Sequence, residues 1–430
     1  MTDAAPGARI TPMTWAVWGL VALFYAYGAL QRVAPAVMVP NLMAEFEVNA
    51  ATLGSVSAFY FYAYAGLQMP VGLMLDRWGA RRMMTAAALL TALGGVLFAM
   101  AGGVGAANLG RFLIGAGSSF TWIGCLTVAA AWFPPRRFAL ATGLSTLAGM
   151  IGAIAGQAPL AALVAATGWR AAMLGIGLVA LALAGALWLV VRDRPRAPAA
   201  PRTAPSLASL FAGLRDVATD GQLWVAAFAG CMMSTPVLVF AGLWGVPYLR
   251  AAYGLSAPSA ALYASLMMVG WAVGGPAFGW LSDRTGRRRG PMIAGAAGLL
   301  ATTLAVFYLP GLPVGGAAVL LFLNGVMAGS MVLVFAVIRE RWRAGQVGAA
   351  FGLVNTVIMG SGAVFQPLVG FLLDLNWDGA MAGGARVYSR AAFDLAFATL
   401  PAVALAGLLS MLLIREPRPV LGQPGRAHSA

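Results

Sequence analysis

The chain of 430 residues contains no lysine, a single histidine (His428, in the C-terminal tail) and two cysteines, Cys125 and Cys231. Both cysteines lie within apolar runs, which excludes a disulfide framework and a cysteine-based metal site. One tail histidine and two apolar cysteines also leave no constellation for hydrolytic or metal-assisted catalysis, so an enzyme is not expected and no cofactor is implied. Charge is scarce: only 9% of residues are charged, against 61% hydrophobic, and the mean hydropathy is +0.83. No soluble domain of this length hides so much apolar surface, so the expected solvent is lipid. The formal net charge of +14 does not signal nucleic acid, because the arginines are scattered over short segments between apolar runs. The first apolar run begins near Trp15 and is too long for a cleavable signal peptide.

What is present is a series of apolar segments of about 20 residues, the length a helix needs to cross about 30 Å of hydrocarbon. Hydropathy places spans one to six at 14–39, 52–75, 83–104, 107–132, 138–165 and 169–191, and spans seven to twelve at 222–249, 259–281, 290–309, 315–338, 347–373 and 391–414. Helices are expected throughout, because open strands leave backbone groups unpaired in lipid. The expected organisation is a cytosolic tail (1–13), a six-helix half (14–191), a cytosolic linker (192–221), a second six-helix half (222–414) and a second tail (415–430). The Pro/Ala/Arg-rich linker suits a flexible strap, with a short surface helix near Leu207–Leu214.

Arginine orients the chain. With both termini inside, the cytosolic segments carry 21 arginines and the outer ones four: Arg170, Arg250, Arg386 and Arg390. The positive-inside rule therefore puts both termini in the cytosol, here of a bacterial inner membrane. The other two, Arg32 and Arg111, lie inside spans.

One loop motif occurs twice, 207 positions apart. The first copy carries Gly72, Asp76, Arg77, Gly79, Arg81 and Arg82, and the second Gly279, Asp283, Arg284, Gly286, Arg287 and Arg288. A repeated, charged, Gly-hinged loop between spans points to a transporter of two similar halves. Gln157 with Pro159 in span five and Gln366 with Pro367 in span eleven repeat at an offset of 209.

Both loops resemble the signature of the major facilitator superfamily: Gly, three residues, Asp-Arg, one residue, Gly, one residue, two basic residues. Arg111-Phe-Leu-Ile-Gly115-Ala-Gly117 is similar to that superfamily's second motif, whereas the antiporter signature of span five is not clean around Gly149, Gly152 and Gly156. The resemblance covers essentially the whole chain. It implies an all-α membrane protein of twelve transmembrane helices in two pseudo-symmetric halves, working by alternating access. Three stretches (Phe24–Pro35, Ser57–Tyr64 and Trp132–Phe138) resemble a bacterial branch related to lysosomal dipeptide transporters and phagosomal nutrient transporters. Span one also resembles the organophosphate antiporters, but span seven lacks the second arginine those proteins use.

Arg32 is expected about 12 Å from the outer end of span one, near mid-bilayer, at 1.5 Å per residue. Tyr25, Gly28 and Arg32 share one helical face, which puts a phenol and a guanidinium on one cavity wall. A planar fork of donors suits a carboxylate or phosphate. The alternative is an arginine snorkelling or bonding backbone carbonyls. Arg111, about 6 Å into span four, forms a stripe with Ser118, Trp122 and Cys125; it either contacts solute or braces helices. Gln157 and Gln366 either line a central cavity or bond neighbouring helices. Tyr62 with Tyr60 and Tyr64 puts aromatics around span two, and Trp244, Trp271, Asn324 and Asn355 complete the candidate lining. The thirteen acidic residues avoid the middle of every span; only Asp374 and Asp394 come near outer span ends. Proton symport normally needs an embedded carboxylate or histidine, so uniport or exchange is expected. Asp76 is expected to face the start of span eleven near Gln346–Gly348, and Asp283 the start of span five near Phe138, as a cytosolic gate.

The function expected is therefore transport of a small polar, carboxylate-bearing solute: a dipeptide, amino acid or organic acid. The alternatives are organophosphate or anion exchange, then multidrug efflux, then a non-transporting membrane sensor. The partners expected are the solute and the lipid bilayer, with a homodimer left open and no nucleic acid.

Overall fold

The structure is a computed structural model and describes residues 11–193, 217–342 and 344–416. The surface helix expected at Leu207–Leu214, Arg343, and residues 1–10 and 417–430, His428 included, lie outside the described residues. Eleven described helices are long and apolar enough to cross a membrane: Pro12–Val37, Ala80–Ala99, Val104–Trp132, Leu140–Thr167, Trp169–Val190, Gly221–Tyr253, Ala257–Thr285, Arg289–Tyr308, Val314–Arg341, Gly348–Leu375 and Arg390–Leu413. Span two, Ala50–Trp78, has the length but not the hydropathy. Its Tyr60, Tyr62, Tyr64 and Gln68 dilute the apolar character because this helix runs between the two halves rather than through lipid alone. Observed bounds lie within about five residues of those expected from hydropathy, as helix ends commonly do.

Helix ends follow local chemistry. Thr11 and Thr14 form a reciprocal capping box on span one, and Asn49 caps span two by accepting from the Thr52 N–H. Gly79 (φ +82°) and Gly286 (φ +64°) end spans two and eight in the left-handed region, so the glycine hinge of each loop copy is a backbone requirement. Span five breaks at Gln157, where Pro159 restarts the helix as Ala158–Thr167. Span seven carries an eight-residue π segment, Val237–Trp244, directly after Pro236.

Packing repeats between halves as the loops do. A Cβ on Gly115 (span four) would strike the Tyr60 carbonyl of span two, and one on Gly325 (span ten) the Met267 carbonyl of span eight. Gly115 and Gly325 stand 210 positions apart and Tyr60 and Met267 207. Small residues thus bring backbones together in both halves, the usual way helices associate without a hydrophobic drive.

At the end of the bundle expected to face outward, the two halves are bonded to each other. Asp374, at the outer end of span eleven, accepts from the Ala50 and Ala51 N–H groups at the start of span two (3.2 and 2.8 Å). A short hairpin (Met381–Ala382 with Ala385–Arg386) brings Arg386 Nη1 to 3.3 Å and leads to the Tyr388 hydroxyl, which donates to Asp374 at 2.5 Å. Burial, then the bond to Asp374, holds the Tyr388 phenol above its ordinary pKa, so it remains a neutral donor.

Candidate functional site

Arg32 points into a narrow cavity between the halves. The walls are Val33, Phe61, Met150 and Ala153 from the first half and Val237, Leu238, Gly242, Met268 and Trp271 from spans seven and eight. The free volume is ≈ 10 Å³, room for about one water. Arg32 is half-buried and its Nε is buried without a hydrogen-bond partner. Its charge reaches the hydroxyls of Tyr25, Tyr60 and Tyr64. Apart from the arginine and the indole of Trp271, the lining side chains are apolar, so the cavity offers one anion-binding fork in a largely hydrophobic wall.

Arg111 lies behind this wall. It is fully buried, donates from Nη1 to the Gln31 carbonyl (2.7 Å) and sits 5.0 Å from the Tyr60 ring centroid. Its Nε and Nη2 have no partner. Arg111 therefore joins spans one, two and four, as the bracing alternative requires, while adding a second positive charge beside Tyr60. The Tyr60 hydroxyl donates to the Gly28 carbonyl at 3.3 Å, and Gly28 itself packs on Ser118 and Thr121 of span four. The expected gap at Gly28 is thus a helix contact and not part of the cavity. Tyr25 is half-buried against Trp122, with ring centroids 5.4 Å apart.

The two glutamines do not meet across a cavity. Both are fully buried, and each donates to a carbonyl of the π segment: Gln157 Nε2 to Ala241 (2.6 Å) and Gln366 Nε2 to Leu238 (2.8 Å). A π segment bonds i to i+5 and disturbs the regular α ladder; side-chain amides meet its carbonyls here. Trp244 is buried and donates to the Gln366 carbonyl. Asn324 is also not at the cavity, since its amide is taken by Thr302 and Thr303 of span nine. Tyr62, half-exposed, donates to the Ala363 carbonyl of span eleven, and Asn355 donates to Gln68 of span two. Of the further lining candidates only Trp271 borders the cavity.

The contacts described for Arg81 and Arg288 of the two repeated loops lie within their own half. Gly72 is half-buried and Asp76 exposed; Gln346, expected near Asp76, is among the side chains outside the described residues. Arg77 lies 5.6 Å from the Trp78 ring centroid. Arg81 donates from its backbone N–H to Asp193 and from Nε to the Trp188 carbonyl, and Arg82 is exposed. In the second copy Asp283 pairs with Arg288 of its own loop at 2.6 Å, and its side chain is 73% exposed. Arg288 also binds Glu340 (2.7 Å) and Ser282, and the carboxylates of Glu340 and Asp283 raise its pKa. Ser282 donates to the Arg287 carbonyl, Arg284 lies 5.4 Å from the Trp280 ring centroid, and Gly279 is half-buried next to it.

Sequence reasoning missed the apolar lining, because Met150, Met268 or Val237 in an apolar span carries no mark of facing a cavity. It also missed the outer closure, although Asp374 was legible as an isolated acid at a span end.

This arrangement, twelve helices in two repeating halves around a central cavity, has a counterpart among known sequences. The profile of the Major Facilitator Superfamily matches residues 20–365 and 238–429. The chain belongs to that superfamily. It is 31% identical over 394 residues to monocarboxylate transporter 11 of Mus musculus, covering 87% of this chain and 83% of that one. It is 24% identical over 378 residues to a probable sulfoacetate transporter (SauU) of Cupriavidus necator, covering 83% and 87%. Its fold is similar to that of a bacterial homolog of the human lysosomal transporter Spinster in an inward-facing, occupied conformation, with a TM-score of 0.75 at 16% identity over 94% of this chain and 96% of that one. The superfamily chain is thus a multi-pass membrane transporter in fold and family.

Proposed function

We propose that this transporter carries a small organic anion, with Arg32 binding its carboxylate or sulfonate and the apolar lining receiving a compact body. The carrying observation is the buried, unpartnered Arg32 Nε in a cavity whose other walls are largely apolar. An ion in such a place is expected to find a counter-charge, and here nothing in the lining supplies one. The same lining offers no acid to a substrate ammonium group, which favours an organic acid over an amino acid or dipeptide. Relatives named for monocarboxylate and sulfoacetate transport support this choice. The halves rock around the cavity, with both termini on the cytosolic side of a bacterial inner membrane.

The test is counterflow in proteoliposomes with labelled monocarboxylates and short sulfonates, comparing the natural chain with Arg32→Ala and Arg32→Lys. Losing one partner of a desolvated charge pair costs about 2 kcal/mol or more, so binding should weaken at least about 30-fold in Arg32→Ala. Arg32→Lys should recover part of it as a point charge without the fork. Equal apparent affinity in folded Arg32→Ala protein would overturn the assignment.

A further inference from the structure

A second site lies on the outside of the first half, away from the central cavity. Spans three and six border a shallow groove of ≈ 530 Å³ at the end that carries Arg82 and Trp188. One wall is Arg82, Thr85 and Leu89, at i, i+3 and i+7 on span three, a strip about 10 Å long. The other is Leu181, Gly185 and Trp188 of span six. Leu89, Leu181 and Trp188 are about half-exposed, as for side chains turned to lipid. Gly185 lies open to the groove: a Cβ there would meet nothing within 4 Å.

Its mouth is polar and basic. Arg82 is exposed, whereas Arg81 is committed to the Trp188 carbonyl and lies over that ring at 4.2 Å. The Thr85 Oγ1 is buried without a partner, just inside the mouth. The loop before span three and the end of span six carry Arg77, Arg81, Arg82 and Arg192 against Asp76 and Asp193, and Asp193 is engaged by the Arg81 N–H. An exposed guanidinium above a hydroxyl and an open apolar channel, at the level where headgroups end and chains begin, matches one ligand chemistry. We infer that this groove binds a phospholipid with an anionic headgroup from the cytosolic leaflet: phosphate at Arg82 and Thr85, one acyl chain along Leu89, Leu181 and Gly185. The exposed leucines and tryptophan favour the lipid over a free phosphate ester, which has nothing to place in the channel.

Two variants separate charge from shape without crowding the fold: Arg82→Gln removes the exposed cation, and Gly185→Leu fills the channel through open space. The purified transporter is examined by native mass spectrometry and thermal unfolding with dioleoyl phosphatidylglycerol, dioleoyl phosphatidylcholine or glycerol 1-phosphate. The natural chain should retain one phosphatidylglycerol and bind it about fivefold more tightly than phosphatidylcholine, since each arginine at an anionic surface has about that effect. Arg82→Gln should abolish the preference between the two lipids. Gly185→Leu should lose the bound lipid of either kind. Glycerol 1-phosphate should leave the unfolding temperature unchanged. Equal binding of both lipids by the natural chain, a preference surviving both variants, or a shift with glycerol 1-phosphate would each overturn the site. Should Arg82→Gln fail to fold, Thr85→Val, which removes only the orphan hydroxyl, must weaken the same preference.

Discussion

Replacing Asp374 with asparagine should open the outer side. Its carboxylate joins the halves by accepting from the Ala50 and Ala51 N–H groups, and it is also held by the Tyr388 hydroxyl and Arg386. The side chain is 12% exposed, so water competes little for these bonds. A hydrogen bond to a charged group contributes about 1.5–3 kcal/mol against about 1 for a neutral one. Asparagine keeps one acceptor but turns an NH2 toward a donor, losing one charge-assisted bond and the charge at the helix N-terminus. The net loss is about 2 kcal/mol, or about 30-fold in the ratio of outer-closed to outer-open forms. A cysteine at Ala153, which is 1% exposed in the cavity wall, provides the readout with a membrane-impermeant maleimide added outside. In Asp374→Asn its modification should accelerate about 30-fold, and in Tyr388→Phe, which removes the Ala50 N–H bond to the hydroxyl but leaves both cross-half bonds to Asp374, by a few-fold only. Modification within twofold of the Ala153→Cys parent, in Asp374→Asn protein that unfolds at the parent's temperature, would refute the latch.

Three further outcomes follow from the packing and caps. Gly325→Val should lower stability in detergent by about 3 kcal/mol, because the new side chain strikes the Met267 carbonyl, whereas Gly315→Ala, with open space at its Cβ, should not. Gln157→Leu should leave the Ala241 carbonyl short of a donor, costing about 1–3 kcal/mol and speeding amide exchange across Val237–Trp244. Asp220 caps span seven through the Gln222 N–H and pairs with Arg341 at 3.0 Å; burial pushes its carboxyl up, but those two donors outweigh it and its pKa is lowered. A depressed folded pKa stabilises above the unfolded value of about 3.9 and is lost as pH falls. The natural chain and Asp220→Asn should therefore differ in unfolding temperature at pH 7 and converge near pH 3; a constant difference would contradict the pair.

The spans were legible because lipid imposes one rule on nearly all of them, and Arg32 stood out because an arginine at mid-span needs either a backbone partner or a solute to justify its position. For Gln157 and Gln366 the residues left two roles open, cavity lining and bonds to a neighbouring helix, and could not choose between them. Nothing in the residues Val237–Trp244 announces the π segment whose carbonyls take both amides. The partner of Asp283 escaped for a different reason: the motif repeats in sequence, but which half answers each acid depends on the conformation the halves adopt. Span two shows a third limit, since the tyrosines and Gln68 that suit it to the interface between halves are the residues that weaken its hydropathy.

Arg32 and Arg111 put two fixed positive charges in the transport region, and no span carries an acid at mid-depth to balance them. The compensating charge must then arrive with the solute, which makes the empty and loaded carriers electrically different objects. Moving one elementary charge across 100 mV changes the free energy by about 2.3 kcal/mol. A lone monoanion leaving a cell that is negative inside gains that amount, and one arriving loses it. Accumulation of an anion by this protein would thus require that a second anion leave in exchange or that a proton cross with it, whereas release needs neither.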